Sequence, residues 1–458
     1  MTNTVKCISP IDGSVYAERA LFSEAEAFAA AARARGAQPA WAARPLSERI
    51  DLVLKAVEFV GQSTDRMAEE LAWQMGRPIR YGGEFGGFEE RAKYMAEIAE
   101  TALSAEVIEE SDRFIRRIER EPQGVVLVVA PWNYPYMTAI NTIAPALIAG
   151  NTVVLKHAAQ TLLVGERLTE AFHQAGVPED VFQNVFLSHE TTADLIAGRM
   201  FDFVNFTGSV AGGQAMERAA AGTFTAVATE LGGKDPGYVR ADADPVMAAE
   251  GLIDGAMFNS GQCCCGIERI YVHESLFDAF LAKAVEIVTG YTLGNPLEQE
   301  TTIGPMAHAR FAAEVRAQVS EALEAGAKAH IATFPQDDGG SYLSPQILTG
   351  VTHEMRVMRD ESFGPVVGIM AVKDDKEAVK LMNDSRFGLT ASIWTNDAVA
   401  AEKIGRQLRT GTVFMNRCDY LDPALCWTGC KDTGRGAGLS ILGFHALTRP
   451  KSYHLKKA

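Results

Sequence analysis

The chain has 458 residues, 47% of them apolar and 22% charged, with 41 Gly and 18 Pro; this excludes disordered, collagenous and low-complexity classes and leaves room for two or three folded domains. Its 43 Lys+Arg against 58 Asp+Glu give a net charge of −15, a field that repels nucleic acid and anionic membranes. No apolar run approaches a bilayer span, the start Met1-Thr-Asn-Thr-Val-Lys6 lacks an apolar signal region, and seven cysteines, three of them contiguous, are unlike a secreted disulfide framework, so a reducing cytoplasm is expected.

In chain order, the first hundred or so residues read as helical. Ser23 and Glu26 form a capping-box pattern, and Ile50, Val53, Leu54 and Val57 make a stripe at helical spacing. Residues 113–121 are charged yet strand-like. From Gly124 the pattern changes to short apolar runs separated by helical stretches, with strands expected at 125–130, 152–156, 181–187, 203–206 and 225–231. A second series follows at 269–273, 329–333, 366–372, 391–394 and 412–415. Such alternation predicts an α/β protein with two parallel-sheet lobes, joined near Gly232 and Gly233 by a short crossing. Residues 113–121 and 451–457 fit neither lobe, and an exposed strand pair of this kind is a candidate assembly element.

Four segments carry chemistry. Cys263, Cys264 and Cys265 lie in a loop just before a strand. A thiolate held where backbone N–H groups converge can attack a carbonyl, although three small residues could equally pack beside a glycine. Zinc is disfavoured, because contiguous side chains do not readily converge on one centre and Cys426 and Cys430 offer only a CxxxC spacing; no metal is expected. Glu230, at a strand end before two glycines, suits a general base of raised pKa, or else a cap or ion-pair partner. Asn133, in Pro131-Trp-Asn-Tyr-Pro135, could donate to a developing oxyanion, or simply form a turn. Gly208-Ser209 leads from a strand into a helix and so can aim N–H groups at a phosphate, although GxGxxG is absent from the sequence.

Together these segments resemble the aldehyde dehydrogenase superfamily over nearly the whole chain. The PWN turn, FTGS turn, ELGGK strand end, GQxC loop and E-x-FGPV segment occur in the family order, at Trp132, Thr207, Glu230, Gln262 and Glu361. The resemblance implies a Rossmann-like coenzyme lobe (1–103 and 123–232), a catalytic lobe (233–432) and oligomerisation strands (104–122 and 448–458) in a homodimer or homotetramer. It also implies oxidation of a small-molecule aldehyde to the carboxylic acid with NAD or NADP. Cys264 would be the nucleophile, Asn133 and the Cys264 N–H the oxyanion hole, and Glu230 the base that activates water against the thioacyl-enzyme. Trp132, Lys156, Gly208, Ser209, Glu361 and Phe363 would hold the coenzyme. Tyr134, Asn141, Phe258, Tyr420, Leu421 and Trp427 would form the substrate mouth, with Asp419 and Asp422 adding negative charge.

Some positions depart from the family pattern. The usual Lys-Pro-x-Glu is Lys156-His-Ala-Ala159, which removes an acid that favours NAD and leaves Lys156, with His157 when protonated, to meet a 2′-phosphate. Thr142 replaces a common lysine, and Gly436-Ala437-Gly438 replaces Gly-Arg-Glu. Neither Asn141 nor Phe258 is basic, which argues against an anionic semialdehyde. The competing readings are a CoA-acylating semialdehyde dehydrogenase, a thiol redox sensor or metal-binding protein, and a scaffold without turnover.

Overall fold

The computed structural model describes residues 3–332 and 340–457. A six-stranded sheet takes the spatial order Gly434–Arg435, Ala226–Glu230, Phe203–Thr207, Val125–Val129, Thr152–Lys156, Phe182–Asn184. All its pairings are parallel except that of the short Gly434–Arg435 strand. Val125–Val129 is buried along its whole length, as a parallel strand covered on both faces requires, and its sequence is accordingly an unbroken aliphatic run. The register sets Val129 opposite both Lys156 and Phe206, and Thr207 opposite Glu230. The segments that follow these strands therefore emerge along one carboxyl edge, where open α/β sheets bind ligands.

The chain crosses into a seven-stranded sheet through residues 231–234. Its order is Lys328–Ala329, Gln346–Thr349, Val366–Val372, Ile267–His273, Asp235–Val239, Thr390–Trp394, Thr412–Met415, parallel except at Lys328–Ala329. A separate antiparallel sheet joins Glu106–Glu110, Phe114–Pro122 and Thr448–Lys456, the last two registered from Thr448 opposite Pro122 to Lys456 opposite Phe114. Among the described residues no helix is long and apolar enough to cross a membrane.

The structure departs from the sequence reading in several places. The N-terminal region is not all helical: Thr4–Ile8 and Val15–Ala20 form an antiparallel pair ahead of helices Glu24–Ala42, Leu46–Gly61, Thr64–Met75 and Phe85–Leu103. The capping box does form, with Ser23 accepting from Glu26 N–H and Glu26 from Ser23 N–H. Val53 and Val57 are buried on the next helix. Asp235–Val239, which pairs on both sides, was absent from the expected strands because Asp-Pro-Gly reads as a turn. Its proline is tolerated near the strand start, where the register shifts. The 181–187 run shortens to Phe182–Asn184 and the 329–333 run to Lys328–Ala329, with Thr333 outside the described residues.

Candidate active site

Helix Pro245–Met257 leads into a tight turn in which Asn259 (φ 54°) and Ser260 (φ 56°) are left-handed. Side chains hold this unfavourable backbone. Ser260 Oγ donates to Gly304 O at 2.9 Å, Gln262 Oε1 accepts from Ala307 N–H at 2.8 Å, and Asn259 Nδ2 donates to Gln262 O and Asn133 O, both at 3.2 Å. Gly261 has φ +70°, and a Cβ there would lie 2.3 Å from Gly364 O. The Gly-Gln motif thus fixes the entry to the cysteines.

Cys263 and Cys265 are buried, while Cys264 is half-buried and lines a cavity of about 320 Å³. Cys263 and Cys265 donate to the same oxygen, Asp419 Oδ1, at 3.1 and 3.0 Å. The neighbouring Cys263 and Cys265 side chains hold the Cys264 thiol below its ordinary value, at about 6, against the opposing effect of burial. Contact with the neighbouring thiols, together with burial, pushes Cys263 up to about 12 and Cys265 well above its ordinary value. All three cysteines line the cavity, and the least buried of them, Cys264, is the one poised as a thiolate. The sequence argument against convergence fails in space, since all three Sγ atoms lie within 4.8 Å of one another.

Glu230 ends its strand on the same cavity, where Thr207 Oγ1 donates to Oε2 at 3.3 Å. Burial raises its pKa to about 7, the range a general base needs. A Cβ on Gly438 would stand 3.2 Å from Glu230 Oε1, so the departure from Gly-Arg-Glu leaves this carboxylate uncrowded. Gly233 is required by space, since a Cβ there would lie 2.3 Å from Cys264 O, whereas a Cβ on Gly232 would lie 2.3 Å from Glu361 Oε2 and displace that carboxylate. Asn133 Nδ2 donates to Gln262 O at 3.2 Å, leaving its second N–H for the cavity. Among the described residues the Cys264 N–H has no acceptor.

The cavity brings together all six expected mouth residues, Tyr134, Asn141, Phe258, Tyr420, Leu421 and Trp427. Asp419 is not a solvated charge at the entrance. It lies against the two outer thiols, and burial raises its pKa well above the usual carboxylate range. Asp422 does not line the cavity; its carboxylate accepts from Ala424 N–H at 2.9 Å.

On the coenzyme side, Lys156 ends its strand with no partner for its ammonium among the described residues, and burial lowers its pKa. An unpartnered cation at a sheet's carboxyl edge suits a ribose or phosphate oxygen. His157 cannot assist it: burial holds the ring neutral with a pKa of about 4, and Nδ1 accepts from Ala158 N–H at 2.9 Å. Ser209 caps helix Val210–Ala220, accepting from Gly212 N–H at 3.2 Å, so the preceding Gly208 stands at a positive helix end. Glu361 accepts from Gly233 N–H at 3.0 Å, and the Phe363 ring meets Trp132 edge-on at 5.5 Å. Sequence reasoning assigned no role to the pair beneath them. Lys234 bonds the Glu268 carboxylate and Ser362 Oγ, while Glu268 accepts from Ser362 and Phe363 N–H at 2.8 and 2.9 Å. The buried pair fixes the segment that carries Glu361 and Phe363.

Residues 1–453 match the aldehyde dehydrogenase family. An aldehyde dehydrogenase of Paenarthrobacter nicotinovorans is 34% identical over 410 residues, covering 88% of this chain and 89% of its own. The NADP(+) succinate-semialdehyde dehydrogenase of Deinococcus radiodurans is 30% identical over 445 residues, covering 97% and 93%. Among solved structures, the NADP-dependent glyceraldehyde-3-phosphate dehydrogenase from Bacillus halodurans, complexed with NADP, superposes with a TM-score of 0.94 at 34% identity, covering 100% of this chain and 96% of that one.

Proposed function

The chain belongs to the aldehyde dehydrogenase family, and from that premise we propose that it oxidises an aldehyde to a carboxylate, consuming one water, reducing one NAD or NADP and releasing two protons. The observation that carries this reading is the meeting of Cys264, Asn133 and Glu230 on one cavity.

Cys264 Sγ attacks the aldehyde carbon, and the Asn133 Nδ2–H and Cys264 N–H donate to the oxygen as charge develops there. When bound, NAD or NADP would supply the two-electron, hydride-accepting chemistry that the oxidation requires. Lys156, Gly208 and Ser209 are assigned to its ribose and phosphate end, and Trp132, Glu361 and Phe363 to its nicotinamide end. Glu230 then takes a proton from the water that cleaves the Cys264 thioester.

Coenzyme binding is assigned to residues 1–103 and 123–232, catalysis to 233–432, and assembly to 104–122 and 448–458, in a homodimer or homotetramer. All seven cysteines are free, which supports a reducing cytoplasm. The test is aldehyde-dependent reduction of either coenzyme by the purified chain, across aldehydes of differing charge and length. Absence of reduction with every aldehyde and both coenzymes overturns the reading.

A further inference from the structure

The cavity holds a cation that the catalytic reading does not use. Arg91, on helix Phe85–Leu103, is only 7% exposed and lines the same cavity as Cys264. Its Nη1 donates to Met137 O at 2.9 Å and to Asn141 Oδ1 at 3.4 Å. Its Nε has no partner, and among the described residues Nη2 has none either. That Nε–Nη2 edge is the one that grips a carboxylate or phosphate with two parallel bonds. Two further donors on the cavity, Asn141 Nδ2 and Tyr134 Oη, are also buried and unpartnered.

No carboxylate of the described residues lies within ion-pair distance of Arg91. Glu84 is taken by Arg77. Glu90 is exposed and accepts the Tyr420 hydroxyl at 2.6 Å, where water screens it. Glu230 and Asp419 face the cavity but neither bonds Arg91, and burial raises the pKa of both. Burying an unpaired guanidinium is costly, and the cost is recovered when a ligand brings the opposite charge. Asn141 and Phe258 are not basic, but this neighbouring helix supplies the cation that they lack.

Resting on the reading of the cavity as the aldehyde site, we propose that Arg91, aided by Asn141 Nδ2 and Tyr134 Oη, binds a terminal oxyanion of the substrate, which is therefore an aldehyde bearing a carboxylate or a phosphate. The enzyme acts on the far end of such a molecule while Arg91 holds the anion.

Initial rates of the full-length enzyme with 4-oxobutanoate, its neutral methyl ester, butanal and a phosphorylated three-carbon aldehyde test this. An anionic aldehyde is expected to exceed its neutral counterparts at least tenfold in kcat/KM, chiefly through KM, and the carboxylate and phosphate arms tell the two sources apart. Arg91→Met should reduce kcat/KM for the preferred anion at least tenfold more than for butanal, with Arg91→Lys keeping part of the preference. Equal use of 4-oxobutanoate and its ester, with no preference for the phosphate, overturns the proposal, as does an equal loss on anionic and neutral aldehydes in Arg91→Met. If that variant does not fold, the wild-type acid-to-ester ratio decides alone. Failure to oxidise any of the four aldehydes with either coenzyme would instead sink the catalytic reading.

Discussion

Cys265 Sγ lies 3.0 Å from Asp419 Oδ1, an oxygen that also takes the Cys263 thiol at 3.1 Å. Both outer cysteines are thereby committed as donors, and the nucleophile's role falls to the sulfur between them. A triplet that looks redundant in sequence is asymmetric in space.

Cys264→Ser is expected to lower turnover by at least ~10³-fold, while Cys263→Ala and Cys265→Ala keep most of it. Removing either outer thiol takes away a neighbour that holds the Cys264 pKa down, so the midpoint of pH-dependent alkylation should rise from about 6 in both variants. Comparable activity losses from all three substitutions would contradict this division of roles.

Gly233 has no room for a side chain, because its Cβ would sit 2.3 Å from Cys264 O. Gly233→Ala should displace the nucleophile loop, destabilising the protein by about 1–3 kcal/mol and depressing kcat in the molecules that remain folded. Thermal melting and kcat, measured together, check it; an unchanged pair of values would show that the loop accommodates the methyl freely.

Coenzyme choice rests on Ala159, which is exposed just beyond Lys156. With no carboxylate there to repel a 2′-phosphate and with Lys156 unpartnered, NADP should be used within about tenfold of NAD, a gap of roughly 1.4 kcal/mol. Because burial holds His157 neutral, it adds no charge to meet a 2′-phosphate as pH crosses the ordinary histidine range. Ala159→Glu should lower kcat/KM for NADP. A wild-type enzyme that rejects NADP a thousandfold would mean another group reads the ribose.

In the sheet of Glu106–Glu110, Phe114–Pro122 and Thr448–Lys456 the outer edges of the two flanking strands have no partner strand among the described residues, and Val107, Ile108 and Leu455 are exposed. Sedimentation at micromolar concentration should give a dimer or tetramer, and substitution of Val107 and Ile108 by lysine should weaken it. A monomeric wild-type protein would contradict the assembly role.

The parts of the site that were legible in the sequence are those carried by local pattern. Trp132, Thr207, Glu230, Gln262 and Glu361 each stand in a short motif at a strand end or a turn, and parallel register then gathers most of them on one edge. What was not legible depends on distant contacts. Arg91 sits among charged residues on a helix, and helical periodicity does not reveal that its turn faces a cavity. Asp419 read as an entrance charge because nothing local shows two thiols packed against it. Lys234 and Glu268 are 34 residues apart, and their pairing exists only once adjacent parallel strands bring them together. Asp235–Val239 was hidden by its own composition, since Asp-Pro-Gly opposes a strand that burial between two neighbours enforces.

The central claim, covalent catalysis at Cys264 completed by Glu230, is tested most directly by rapid mixing of Glu230→Gln with aldehyde and coenzyme, followed by intact-mass analysis. Wild-type turnover limited by hydrolysis should rise with pH through about 7 as Glu230 loses its proton, and the variant should lose that dependence. The variant should reduce about one equivalent of coenzyme per site and stall, carrying an acyl adduct that peptide mapping assigns to Cys264. Steady turnover at the wild-type rate, no burst, or an adduct on Cys263 or Cys265 would contradict the account.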